Sequence, residues 1–234
     1  MVTNKKTKTD SSLQHVAALE RALAILGAFE QEQAALSLAQ LAELTELHKS
    51  TILRLMLSLE DHGYIRRRTD GFYTIGPTMF RLGVQYEKSQ NGRDILLPAL
   101  EALVQAGTES ASFHVREGDR RLCIYRIDSH HSTLDTVAAG KYLPLDRGAA
   151  GHVLLNYATI PAPRFEAVLS KGERDPACWG LAAPVYGRDG ILLGALSLSG
   201  PKERFTKAAI AEMRKLLLDS ARLCSGEAAS LRRV

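Results

Sequence analysis

Residues 37–75 read SLAQLAELTELHKSTILRLMLSLEDHGYIRRRTDGFYTI, and this stretch decides the fold of the first third of the chain. Ser37 and Gln40 have the spacing of a capping box, in which the serine hydroxyl and the glutamine side chain satisfy each other's backbone N–H groups. The helix they open, Leu38–Thr45, is short and apolar on one face. A tight turn at Glu46-Leu47-His48 precedes a second helix, predicted over Lys49–His62. Its apolar residues Ile52, Leu55, Met56 and Leu59 fall at i, i+3, i+4 and i+7 and bury one stripe, while Ser50, Arg54 and Asp61 lie off it. Gly63 stands where a helix end calls for a residue that tolerates positive φ. Tyr64-Ile65-Arg66-Arg67-Arg68, a turn signal at Asp70-Gly71 and Phe72-Tyr73-Thr74-Ile75 then make a β-hairpin pattern with a two-residue turn. The sum is a helix–turn–helix with a basic wing.

Such an arrangement suits the major groove of DNA. The first turns of the second helix present Lys49, Ser50, Thr51 and Arg54 to base edges, where Arg and Lys donate to guanine and Ser or Thr bond base or phosphate. Arg66, Arg67 and Arg68 would neutralise phosphates, although strand alternation sends Arg66 and Arg68 to one face and Arg67 to the other. The competing reading is a winged helix used for protein contacts, with ordinary solvated charges. The clustering of five cations within twenty residues favours DNA. Net charge does not: residues 1–76 carry nine Lys+Arg and nine Asp+Glu, so the whole +4 lies in residues 77–234.

With 234 residues and 45% hydrophobic content, the chain can bury one large core or two modest ones. No apolar run approaches the roughly 18–20 residues of a membrane span. Residues 1–12 are polar and basic without an apolar centre, and so read as a disordered tail whose three lysines reach phosphates, not as a secretory signal. Cys123, Cys178 and Cys224 are odd in number and lack CxxC spacing, which points to reduced thiols and a cytoplasmic protein. His114, His130, His131, His152 and Cys178 match no zinc spacing, so no metal and no cofactor are expected.

Periodicity organises the remainder. A first helix over Leu13–Glu30 offers Val16, Leu19, Leu23, Leu26 and Phe29 as its packing face. Gly76-Pro77 closes the wing, and Pro77–Gly92 reads as a linker helix. Asp94 is placed to cap a helix running to about Gly107. Strands are expected at Ala111–Arg116, Leu122–Ile127, Leu134–Ala138, Leu181–Tyr186 and Ile191–Ser199. Short helices are expected at Gly148–Asn156 and Pro163–Leu169, and a long one from Thr206 to Leu231. Strands and helices in this order give an α/β or α+β sensor domain with a meandering sheet.

These residues resemble a known family. ERALAILGAFE (20–30), the stretch 36–67 and YTIGPTMFRLG (73–83) look like the N-terminal half of IclR-type bacterial transcriptional regulators. LPLDRGAAGHVLL (143–155), GLAAPVYGRDGILLGALSLSGPKERFT (180–206) and the closing helix look like their effector-binding half. The resemblance implies an α+β chain of two domains: a tail at 1–12, a winged helix–turn–helix at 13–76, a linker helix at 77–92 and a GAF-like α/β sensor at 93–234. It also implies double-stranded DNA with a palindromic operator, a homodimer or homotetramer, and a small organic acid effector, aromatic or 2-oxo, from a catabolic pathway. Family ligand contacts map onto Ala149, Ala150, Ser170, Gly180, Ser197 and Ser199. The chemistry fits, because small residues at a helix start let backbone N–H groups approach an anion and the two serines share one strand face. The alternative is strand packing with satisfied hydroxyls. Cys178 and Trp179 stand close enough to line the pocket.

The chain departs from the family where Glu46-Leu47-His48-Lys49-Ser50-Thr51 replaces Gly-Leu-Pro-Lys-Ser-Thr. Losing glycine costs about 1 kcal/mol if the turn demands positive φ. The segment 170–176 lacks an acidic pair found in some members. Repression is the expected sign of regulation, activation of aromatic-acid catabolism the alternative. A hydrolase using Ser197 or Ser199 with His152 is disfavoured, lacking a GxSxG elbow and an orienting carboxylate. A ligand-free architectural DNA binder would leave more than half the chain without a purpose.

Overall fold

A computed structural model describes residues 15–30, 34–89, 92–129, 137–158, 163–187 and 189–227. The chain divides into two compact units, residues 1–86 and 87–234. The basic tail, His130, His131 and most of the strand expected at Leu134–Ala138 fall outside the described residues; Val137 and Ala138 are not in a strand.

In the first unit, α1 (Ala17–Gly27) continues as a 3-10 turn over Ala28–Glu30. The capping box forms as expected: Gln40 N–H donates to Ser37 Oγ at 3.2 Å and Ser37 N–H to Gln40 Oε1 at 2.9 Å, opening α2 (Leu38–Thr45). Then come α3 (Lys49–Asp61), β1 (Ile65–Arg67), β2 (Tyr73–Ile75) and α4 (Pro77–Ser89). Ile25, Leu41, Ile52, Met56, Ile65 and Tyr73 form the core. Gly63 adopts φ +71° at the end of α3. A Cβ on Gly76 would overlap its carbonyl, so the wing closes directly onto the helix end.

Two expectations are corrected here. The packing face of α1 is Ile25 and Ala28, supported by Leu26 and Phe29, whereas Val16, Leu19 and Leu23 are more than half exposed. Two apolar stripes run along this helix, and only one meets α2 and α3. The hairpin turn also holds three residues, not two. Arg67 pairs with Tyr73 and Arg68 N–H donates to Phe72 O, leaving Thr69-Asp70-Gly71 as the loop with Gly71 at φ +85°.

The second unit is a six-stranded antiparallel sheet in the order β5-β4-β3-β8-β7-β6. Its strands are β3 (Ser110–Glu117), β4 (Arg120–Asp128), β5 (Tyr142–Pro144), β6 (Val168–Lys171), β7 (Cys178–Tyr186) and β8 (Leu192–Pro201). One face carries Phe113, Leu181, Leu196 and Leu198 against α5 (Arg93–Gln105) and α7 (Lys207–Glu227). The other carries Ala182, Tyr186 and Ala195 against α6 (Ala149–Asn156). Alternation along each strand separates the two sets. Thr206 Oγ1 accepts from Ala209 N–H and caps α7 as its position implied. The cap of α5 is Gly92 without a side-chain bond, and Asp94 only joins the first turn. The helix expected over Pro163–Leu169 is absent: residues 163–167 are irregular, and Val168 and Leu169 pair with Ala182 and Leu181 as the edge strand β6.

Candidate effector pocket and nucleic-acid interface

On the face of the sheet toward α6, polar residues replace the apolar pattern. Register places Arg126, Ser112, Ser197 and Ala182 in one row across β4, β3, β8 and β7, and Ser110, Ser199, Gly180 and Ser170 in the next row across β3, β8, β7 and β6. Over them lies a small, partly open cavity. All six positions singled out from the sequence, Ala149, Ala150, Ser170, Gly180, Ser197 and Ser199, line it, and so do Cys178 and Trp179.

Local chain geometry builds the rim. Gly148 precedes α6 at φ +80°, and a Cβ there would lie 3.2 Å from Arg121 Nη2. Gly151 sits so close to the Leu145 carbonyl that a side chain would collide with it. Ala149, Ala150 and Gly151 belong to the first turn, whose N–H groups have no partner within the helix. Glu173, on the bend between β6 and β7, accepts at Oε2 from Gly148 N–H (2.9 Å) and from His152 Nε2 (2.6 Å). Partial burial pushes the Glu173 carboxyl up. The hydrogen bonds from Gly148, His152 and Ser170 outweigh it and hold the group below the usual carboxylate range.

The cavity also gathers residues that sequence reasoning had not assigned to it: Ser112, His114, Arg121, Arg126, Glu173 and Arg174. Arg121 is 4% exposed and donates from Nε to Pro144 O at 3.1 Å. The Arg126 side chain is equally buried and holds Asp128 Oδ1 at 2.7–2.8 Å. His114 is buried, its Nε2 3.0 Å from Ser112 Oγ and its Nδ1 without a hydrogen-bond partner among the described residues. Burial, followed by the charges of Arg121, Arg126 and Arg174, pushes the His114 imidazole well below its ordinary value, so it is neutral. The polar alternation Ser110-Ser112-His114 was the signal available in the sequence. The strand-packing reading of the serines holds in part for Ser199, whose Oγ lies 2.8 Å from Ser110 Oγ. One ground against a hydrolase is corrected: His152 does have a carboxylate beside it, Glu173 at 2.6 Å, although among the described residues no hydrogen bond joins His152 to Ser197 or Ser199.

In the first unit, Lys49, Ser50 and Arg54 of α3 are exposed and Thr51 is half-buried, whereas Ile52 and Met56 are buried. Arg66 and Arg67 are exposed on β1. Arg67 lies over the Tyr73 ring at 5.7 Å, and Arg68, just past the strand, pairs with Asp70 at 2.9 Å. Glu46 holds the turn between α2 and α3 at φ +56°, the one non-glycine residue with positive φ among the described residues.

A winged helix–turn–helix followed by a curled α/β unit with a polar pocket defines the class of two-domain transcriptional regulators. The sequence pattern of the IclR helix-turn-helix domain matches residues 18–69, and that of the bacterial transcriptional regulator IclR C-terminal domain matches residues 84–177. The chain belongs to the IclR family. It is 26% identical over 153 residues (65% of the chain) to the HTH-type transcriptional regulator KipR of Bacillus subtilis, and 23% identical to the HTH-type transcriptional repressor AllR of Escherichia coli over 88% of each chain. The matched stretch spans 60% of KipR's own length and 53% of a second such relative. The fold is that of an IclR homolog from Microbacterium hydrocarbonoxydans crystallised with 4-hydroxybenzoate, with TM-score 0.80 and 19% identity over 92% of this chain and all of the other.

Proposed function

We propose that the chain is a ligand-responsive DNA-binding repressor of a catabolic operon, and that its effector is a small organic acid held in the α6 cavity. One observation carries this reading: the second unit encloses a pocket of helix-start amides, serine hydroxyls and guanidinium groups on a chain whose first unit is a winged helix–turn–helix. Such groups bind a carboxylate. The Microbacterium hydrocarbonoxydans protein of the same fold holds 4-hydroxybenzoate, itself a small acid, and AllR is a repressor by name. The α3 residues Lys49, Ser50, Thr51 and Arg54 read the major groove while Arg66, Arg67 and Arg68 of the wing track phosphates. An apolar stripe left exposed along α1 (Val16, Leu19, Leu23) and the exposed Phe80 and Leu82 of α4 are suited to a second copy of the chain, which sets a palindromic operator. Gating follows if the acid binds one arrangement of that oligomer more tightly than another.

Binding of the purified protein to the DNA upstream of its own gene, at two salt concentrations, with and without a panel of small carboxylates, tests the proposal. The expected result is saturable binding that weakens with salt and shifts with an acid. Absence of sequence-preferring binding in every condition sinks the DNA reading; binding indifferent to every acid sinks the gating.

A further inference from the structure

The outer face of α3 is not wholly polar. Leu53 and Leu57 are 43% and 63% exposed, and neither joins the core that Ile52 and Met56 complete with Leu55 and Leu59 packed against it. A single exposed leucine needs no explanation. Two of them, one turn apart on a helix that also presents Lys49, Ser50 and Arg54, make an apolar strip inside a polar surface.

Helical spacing fixes which side of α3 they occupy. Ser50, Leu53, Arg54 and Leu57 stand at i, i+3, i+4 and i+7, which lines them along one face, and all four are exposed. Side chains that reach base edges from a helix in the major groove have this same spacing. Thr51, half-buried, lies off the stripe. Lys49 borders it at the N-terminal end, and exposed Asp61, one turn past Leu57, ends it with a negative charge. Over its first two turns the face is therefore cationic and apolar, complementary to an anionic groove over that length alone.

The groove offers few surfaces to a leucine. Guanine presents N7 and O6, adenine N7 and an amine, cytosine an amine, and thymine O4 with a C5-methyl group. A leucine laid over the polar edges strips their water and returns no hydrogen bond. Against a thymine methyl it buries apolar surface on apolar surface, worth about fourfold in affinity for each methyl group. The two leucines are about 6 Å apart along the helix axis, so each meets its own base pair.

Resting on the DNA-binding reading above, we propose that Leu53 and Leu57 are specificity-determining residues that read the C5-methyl groups of thymine in the major groove, beside the polar contacts of Ser50 and Arg54. The half-site then carries A·T pairs where these side chains fall.

Uracil differs from thymine only in lacking that methyl, so the operator sequence need not be known to test the proposal. Duplex DNA from upstream of the protein's own gene is made twice, once with thymine and once with uracil at every such position. Fluorescence anisotropy with the full-length protein compares the two, with excess unrelated duplex of the same base type removing the non-specific part. The wild type is expected to bind the thymine duplex at least fourfold more tightly. Leu53→Ala and Leu57→Ala each lower this ratio toward one, whereas Arg66→Ala on the wing weakens binding to both duplexes and keeps it. Thermal unfolding checks that each variant is folded, and sedimentation reports its oligomeric state. Equal affinity of the wild type for both duplexes overturns the methyl reading while leaving DNA binding in place. A ratio retained in both folded leucine variants overturns the assignment to Leu53 and Leu57; if the oligomer also dissociates, the stripe is a contact between copies. Absence of sequence-preferring binding to the thymine duplex overturns the DNA-binding reading and this one with it.

Discussion

The carboxylate of Glu173 accepts a hydrogen bond from the backbone N–H of Gly148 at 2.9 Å, so an acidic group of the chain itself already occupies the approach to the α6 start. Its neighbours keep it ionised, and an incoming acid meets a like charge there. Glu173→Gln keeps a hydrogen-bond acceptor and removes the charge. The variant is expected to bind monocarboxylates about threefold more tightly, the size of one partly exposed charge at a helix terminus. Titration of Trp179 fluorescence with benzoate checks it. Unchanged or weaker affinity would show that Glu173 aids binding or stands clear of the ligand.

His114 supplies a pH test of the second unit. Its folded value lies well below 6.5, so on unfolding in mildly acidic buffer the imidazole takes up a proton that the native state excludes. Stability from this group is complete above about pH 6.5 and is lost as pH falls below it, by up to about 1.4 kcal/mol per pH unit. Glu173 acts in the same direction but only below about pH 4.5, its ordinary value. Denaturant unfolding followed through Trp179 is expected to show a falling midpoint between pH 6.5 and 5 in the wild type and a flatter profile in His114→Gln. Parallel profiles would mean that His114 is protonated in the native state.

Where the structural signal was local, it was legible in the chain. The Ser37–Gln40 box, the apolar period of α3 and the positive φ of Gly63 each depend on a few consecutive residues. Features set by distant partners were not. β5 and β6 are edge strands of three and four residues, defined by pairing with β4 and β7 and not by their own composition. Arg121 and Arg126 on β4 look like solvated charges until the cavity encloses them. α1 carries two apolar stripes, and nothing within the helix says which one meets α2 and α3. The six pocket-lining positions came through resemblance, since alanines, glycine and serines announce no chemistry alone.

Glu46 adopts φ +56° and ψ +19°, a left-handed conformation that disfavours a side chain bearing Cβ. Glycine at this turn removes that strain but loses more freedom on folding. Glu46→Gly is expected to stabilise the first unit by roughly 0.5–1 kcal/mol, read as a higher thermal midpoint. A lower midpoint would mean that the glutamate side chain contributes more than its backbone costs.

The three wing arginines are not equivalent. Arg68 is held by Asp70 at 2.9 Å and Arg67 lies over Tyr73, whereas the Arg66 guanidinium has no side-chain partner among the described residues. A phosphate contact made by Arg66 therefore breaks no existing pair, while one made by Arg68 competes with a carboxylate. If the wing tracks the DNA backbone, Arg66→Ala reduces the slope of log affinity against log salt by about 1, and Arg68→Ala reduces it less. Asp70→Asn, by releasing Arg68, is expected to raise affinity and steepen the slope. Fluorescence anisotropy with upstream DNA across a salt series measures all three. Equal slopes for wild type, Arg66→Ala and Asp70→Asn would place the wing away from the phosphates and leave binding to α3 alone.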